Sequence, residues 1–278
     1  MAEAILRSDM LAFRMEKIIA RGQFVYSVAI AAFGVEALIC ARLRLTVAGV
    51  PWFPGNPFWG YLTGIALILA GLSIAANVRA RLTATLLGIL FLFYVLVLEI
   101  PQVAANPADM GVRTVFFEAL AIGASALTLA GTLPTAVSFG RWERVLDSLI
   151  RSGPYLFGAS SVIFGIDHFF VLALIASLVP AWLHGGMFWA YFTGIAFIVA
   201  GISIVTKWMD QWSAALLGTM FLLWFLLLHS PRVVIAFRSH DPNAPDEWSS
   251  ALIALALCGG SWICAWHARQ RRCQNTKQ

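Results

Sequence analysis

Eight apolar runs, each long enough to cross a bilayer, constrain this 278-residue chain more than any other feature. Read between polar breaks, they fall at about 22–43, 58–76, 82–100, 114–134, 155–178, 187–206, 212–229 and 248–267. At ~1.5 Å of rise per residue, ~18–24 residues of helix match the ~30 Å hydrocarbon slab. No water is present there to pair with backbone N–H and C=O groups, so each run must satisfy its own hydrogen bonds as an α-helix. Composition agrees. Hydrophobic residues make up 60% of the chain and charged ones 12%, whereas a soluble domain is ~45–50% apolar. A soluble chain of this length could not enclose so much apolar surface. The expected fold is all-α: a polytopic membrane protein of eight transmembrane helices. A soluble enzyme, a fibre and a disordered chain are excluded.

The runs repeat. Residues 58–103 align with 188–233 at a constant offset of 130 without a gap, and 22 of the 46 pairs are identical. FWGYLTGIALILAGLSI (58–74) lies against FWAYFTGIAFIVAGISI (188–204), and TLLGILFLFYVLVLEIP (85–101) against ALLGTMFLLWFLLLHSP (215–231). Upstream, FGVEA (33–37) matches FGIDH (164–168). This degree of identity points to an internal duplication of a four-helix unit. Four spans is an even number, so both copies enter the membrane the same way up, as parallel repeats. The expected organisation is an amphipathic surface helix at 1–21, a first repeat at 22–136, an amphipathic linker at 137–154, a second repeat at 155–268 and a basic tail at 269–278. Pro101 and Pro231 are expected to end matching helices.

Charge sets the orientation. With the N-terminus cytoplasmic, fourteen of the nineteen Lys and Arg fall on that side and five (Arg42, Arg44, Arg113, Arg232, Arg238) on the other. The positive-inside rule therefore places both termini in the cytoplasm. The net charge of +5 belongs to this bias. No basic stripe with interleaved aromatics stands outside the spans, so nucleic acid is not an expected partner and the lipid bilayer is. The N-terminal segment lacks a small-residue cleavage site and does not read as a signal peptide. Cys40, Cys258, Cys264 and Cys273 form no C-x-x-C pair and read as membrane-core fillers with one tail thiol.

Gly60, Gly64 and Gly71 on the second span, and Gly194 and Gly201 on the sixth, read as helix-packing positions, since small residues let backbones approach closely in lipid. Trp59, Tyr61, Trp189 and Tyr191 read as an interfacial aromatic belt. Ionisable groups inside spans are the sharper signal, because they are costly at membrane depth and mark either function or a specific pairing. Glu36 and Asp167 occupy matching places in the first and fifth spans, with His168 beside the latter. Glu99 ends the third span where His229 ends the seventh. Glu118 follows Arg113 by one and a half turns. With Arg232, these groups all fall in the outward half of the membrane and form a candidate cluster.

Three readings of that cluster stand open: a structural polar clasp, a shallow site for a quinone or other amphipathic small molecule, and a pathway for a solute. Catalytic and metal-ligating residues are expected to be none, because the chain lacks a nucleotide loop, a metal motif, a cysteine pair and a nucleophile elbow.

At the FW-x-Y-x-TG-x-A-x-I-x-AG-x-x-I repeat, with the preceding FG-x-[DE] helix and EWSSALIALALCGGSW (247–262), the chain resembles the DoxX-like family of bacterial integral membrane proteins. It looks like two such four-helix units fused. The resemblance implies a place in the bacterial inner membrane and the role of an accessory subunit without its own catalytic motif. It also implies a quinone as cofactor and a membrane oxidoreductase as partner. Glu36, and Asp167 with His168, occupy the family's polar position. The basic residue that some members carry in the last helix is missing, with Glu118 and Ile253 near its place. The alternative function is a transporter or binding protein for a small lipophilic solute.

Overall fold

The computed structural model describes residues 21–43, 57–134, 140–240 and 244–275. Among them there is no strand. Eight helical segments are long and apolar enough to cross a membrane: α1 (Gly22–Arg42), α2 (Pro57–Ala75), α3 (Ala80–Ala105), α4 (Met110–Thr132), α5 (Gly140–Phe170), α6 (Gly186–Thr206), α7 (Asp210–Ser239) and α8 (Pro245–Asn275). The protein is an all-α, multi-pass membrane protein. The segment at 1–20, expected as a surface helix, lies outside the described residues.

The outer surface is apolar in stripes. Leu62, Ile65, Leu69 and Leu72 on α2, and Phe188, Phe192, Ile195, Val199 and Ile202 on α6, are exposed at three- and four-residue spacing. In water such faces would drive aggregation; in a bilayer they meet acyl chains.

Within each half, consecutive helices pack as neighbours, but the halves also interlock. α4 packs on α5, α8 packs on α1, and α4 and α8 pack on each other at the centre. Small residues make this possible. A Cβ added to Gly259 would stand 2.5 Å from the Tyr26 nitrogen, and one added to Gly153 2.7 Å from the Thr128 nitrogen. The middle is filled by Ala124, Ala126, Ala256, Ala265, Ser125 and Ser261, all fully buried. Tyr26 ties α1 to α4 by donating its hydroxyl to the Ile122 carbonyl at 2.7 Å.

Local backbone features recur 130 residues apart. Asn77 and Arg79 adopt left-handed backbone between α2 and α3, and Lys207 and Met209 do so between α6 and α7. Ser73 donates to the Val78 carbonyl as Ser203 donates to the Trp208 carbonyl. A π-helical turn occupies Val95–Glu99 in α3 and Phe225–His229 in α7.

These π turns account for a difference from the sequence expectation. Pro101 and Pro231 do not end their helices, which continue to Ala105 and Ser239. Proline offers no N–H to the carbonyl four residues back. The residue just before each proline bonds five residues back instead, Ile100 to Val95 and Ser230 to Phe225, and the widened turn carries the chain onward. α5 also begins earlier than its apolar run. The linker residues from Glu143 share one helix with the span, through Pro154 to Phe170, and a short helix, Leu172–Leu178, follows. Ile150 is why the linker belongs to the bundle: it is buried beside Gly131 of α4.

At the end of the bundle where α1 begins, polar groups close the helix termini. Arg81 donates to the Ala130 and Leu133 carbonyls, both at 2.9 Å, and lies 3.5 Å from Asp147. Arg271 and Arg272 both reach the buried Asp210. They hold the start of the tail, helical to Asn275, against α7.

Candidate functional site: buried acids and histidines at one end of the bundle

The helices alternate in direction, so the second halves of the odd-numbered helices and the first halves of the even-numbered ones share one end, here called the far end. Glu36, Glu99, Arg113, Glu118, Asp167, His168, His229, Arg232 and Glu247 all lie there. They do not form one cluster. The fold distributes them over the seams between helices.

The seam between α4 and α5 holds an ion pair. Asp109 starts α4 by accepting from the Gly111 and Val112 amides at 2.8 and 3.2 Å. That cap sets Arg113 one turn on, where its Nη2 donates to Asp167 Oδ1 and its Nε to Oδ2 at 3.3 Å. Asp167 is only 5% exposed. The guanidinium fork spans both carboxylate oxygens, which is the geometry that makes a buried carboxylate tolerable.

His168, next in sequence, turns the other way. Its Nδ1 lies 2.8 Å from the Phe164 carbonyl, which can only accept, so in the neutral ring Nδ1 carries the hydrogen. The lone pair on Nε2 is buried and has no partner among the described residues. The ring stacks on Trp224 of α7 at 5.8 Å and 16°, with Phe197 of α6 at 5.2 Å. Gly194 leaves room for this arrangement: a Cβ there would stand 3.1 Å from the His168 Cβ.

At the seam between α1 and α8, Glu36 accepts a hydrogen bond from Ser249, while its Oε2 is buried without a partner among the described residues. Glu99, 1% exposed in the π turn of α3, pairs with Tyr94, and Glu118 of α4 lies near it. Arg232 and Glu247 join α7 to α8, with Nε to Oε2 at 2.8 Å. His229, in the matching π turn, stands near both of them, and its Nδ1 has no partner among the described residues. Arg42 lies exposed at the end of α1.

The glycines singled out in the sequence face neighbouring helices. Cβ atoms built on Gly60, Gly64 and Gly71 would come within 2.8 Å of α1, and one on Gly201 would stand 2.5 Å from the Gly158 carbonyl of α5.

Compared with known protein families, with curated proteins and with solved structures, the chain finds no match. Its chemistry must be read from its own residues. Among the described residues no group of three or more His, Cys, Asp and Glu is placed to hold a metal ion.

Sequence reasoning missed Ser249, Trp224, Trp248 and Glu247 as partners, and Asp210 with Arg271 and Arg272. Asp210 could have been found from its charge at the start of an apolar run. The serine and the tryptophans carry no signal of their own, because which residue faces Glu36 or His168 depends on how distant helices pack.

Proposed function

We propose that the protein is a DoxX-like accessory subunit of the bacterial inner membrane, built by duplication, with both termini in the cytoplasm. In this reading it serves a quinone-linked membrane oxidoreductase and binds an amphipathic small molecule of the quinone and quinol class at the far end.

The observation that supports this most directly is His168. A buried imidazole with its Nδ1 fixed on a backbone carbonyl presents Nε2 as a pure hydrogen-bond acceptor. An unpaired buried acceptor costs ~1–3 kcal/mol, so it favours a ligand that brings a hydroxyl. A quinol hydroxyl fits that need, and the Trp224 and Phe197 rings packed on the imidazole hold it in place. When bound, a quinone would supply two-electron redox chemistry; His168 would orient it and hold the hydroxyl proton. The carrier reading is less well supported, because small side chains fill the centre between α4 and α8.

The experiment is titration of the protein in lipid nanodiscs with a short-chain quinol, followed by quenching of tryptophan fluorescence. His168→Phe keeps the ring stack and removes the acceptor, and it should weaken binding about tenfold or more. Equal affinity in wild type and variant would defeat the proposal. Orientation is read separately from Cys273, the exposed thiol, with Cys40, Cys258 and Cys264 buried. An impermeant maleimide should label it in inverted membrane vesicles and not in intact cells.

A further inference from the structure

The two halves treat their matching acids differently, and the difference points to a second site. Glu36 and Asp167 correspond at an offset of 131, as do Gly22 and Gly153, and Gly34 and Gly165, which meet equivalent neighbours. Gly34 packs on the Gly64 carbonyl and Ile68 of α2, and Gly165 on the Gly194 carbonyl and Ile198 of α6. The central helices correspond at an offset of 135: Gly22 meets Gly259 and Ile263 of α8 where Gly153 meets Ala124 and Thr128 of α4. By that register Trp248 stands where the other half has Arg113, and Ser249 where it has Thr114.

In one half, then, a guanidinium on α4 neutralises Asp167. In the other, the matching acid has a serine hydroxyl and no cation among the described residues. Glu36 is 4% exposed, and its Oε2 has no partner among the described residues. Trp248, next to Ser249 in sequence, has its Nε1 buried without a partner among the described residues.

Among the described residues the ionisable groups around Glu36 do not supply the charge, and Arg42, six residues on in α1, is exposed. Cys40 is on its own helix, and Asp246, exposed at the start of α8, adds a second negative charge. α2 carries no ionisable residue except the exposed Tyr61. An isolated carboxylate in such surroundings is costly unless a cation or a proton compensates it.

We infer that Glu36, with Ser249, forms a binding site for a small organic cation bearing N–H donors, an amine or guanidine, which supplies the charge that Arg113 supplies in the other half. Binding is an exchange. The Glu36 carboxylic acid loses its proton to solvent, and the carboxylate left behind accepts hydrogen bonds from the cationic nitrogen. Asp246, exposed at the start of α8, attracts the cation. The residues involved are separate from His168, so the site stands or falls independently of quinol binding.

The test uses the full chain in nanodiscs with n-octylguanidinium as the probe and n-octylurea as its neutral counterpart. Calorimetry and a pH indicator in weakly buffered solution follow binding and proton release. The expected result is saturable binding of the cation, one proton released per cation bound, and affinity rising about tenfold per pH unit while Glu36 remains protonated. The neutral urea should neither bind saturably nor compete. Glu36→Gln should abolish both binding and release. Trp248→Arg installs the missing guanidinium, and a folded variant should no longer take up the probe. Saturable binding that persists in Glu36→Gln, binding without proton release, or equal binding of urea and guanidinium would each overturn the assignment. So would a lack of any saturable binding to the wild type.

Discussion

Replacing Arg113 with Met tests the central electrostatic feature of the far end. Asp167 is 5% exposed and accepts from both Nε and Nη2 of Arg113. Removing the guanidinium leaves a buried carboxylate without compensation, which costs ~3–5 kcal/mol. At ~1.4 kcal/mol per factor of ten, the unfolding constant should rise by roughly two to three and a half powers of ten. The double variant Arg113→Met with Asp167→Asn removes both charges and should recover most of that loss, because a neutral pair has no ion left to bury. Glu36→Gln supplies the contrast. Glu36 has only Ser249 as a donor, and a glutamine oxygen can still accept that bond, so the cost should stay within ~1 kcal/mol. All three are measured by reversible unfolding in mixed micelles of increasing dodecyl sulfate fraction, followed by tryptophan fluorescence. If Arg113→Met costs no more than Glu36→Gln, or if the double variant is as unstable as the single one, the ion pair does not carry the stability argued for it.

Gly34→Ala should destabilise by ~1–3 kcal/mol in the same assay, because its Cβ would stand 2.6 Å from the Gly64 carbonyl. Gly111→Ala, where the nearest neighbour would be the Asp109 carboxylate at 3.2 Å on the surface, should cost far less. Arg81→Met removes two bonds to the last carbonyls of α4, and hydrogen exchange should quicken at residues 130–134 while the middle of α4 stays protected. Asp210→Asn frees Arg271 and Arg272 from their shared carboxylate, so limited proteolysis should begin cutting near the end of α8.

Hydrophobic run length carried most of the architecture. A bilayer accepts only chains that close their own backbone hydrogen bonds, so eight apolar runs in the sequence became eight helices with no tertiary information needed. The run boundaries were less informative where proline stood near an end. Pro101 and Pro231 are single residues in strongly helical surroundings, and the cost of their missing N–H was met by a π turn rather than by stopping the helix. The linker start of α5 was equally hidden, since burial of Ile150 depends on α4 lying beside it.

The end of the bundle that holds Glu36, Glu99, Asp167 and His168 also follows from the sequence, because alternating helices fix which end each residue occupies. Pairing does not. The Arg113 guanidinium reaches Asp167 54 residues away, and Ser249 reaches Glu36 across 213. Those meetings exist because α4 seats itself on α5 and α8 on α1, an interlock set by close contacts at Gly153 and Gly259. One-dimensional pattern records the free-energy cost of placing each residue in lipid. Which charge is neutralised, and which buried lone pair is left without a partner, is a property of distances between helices, and only the packed bundle defines those.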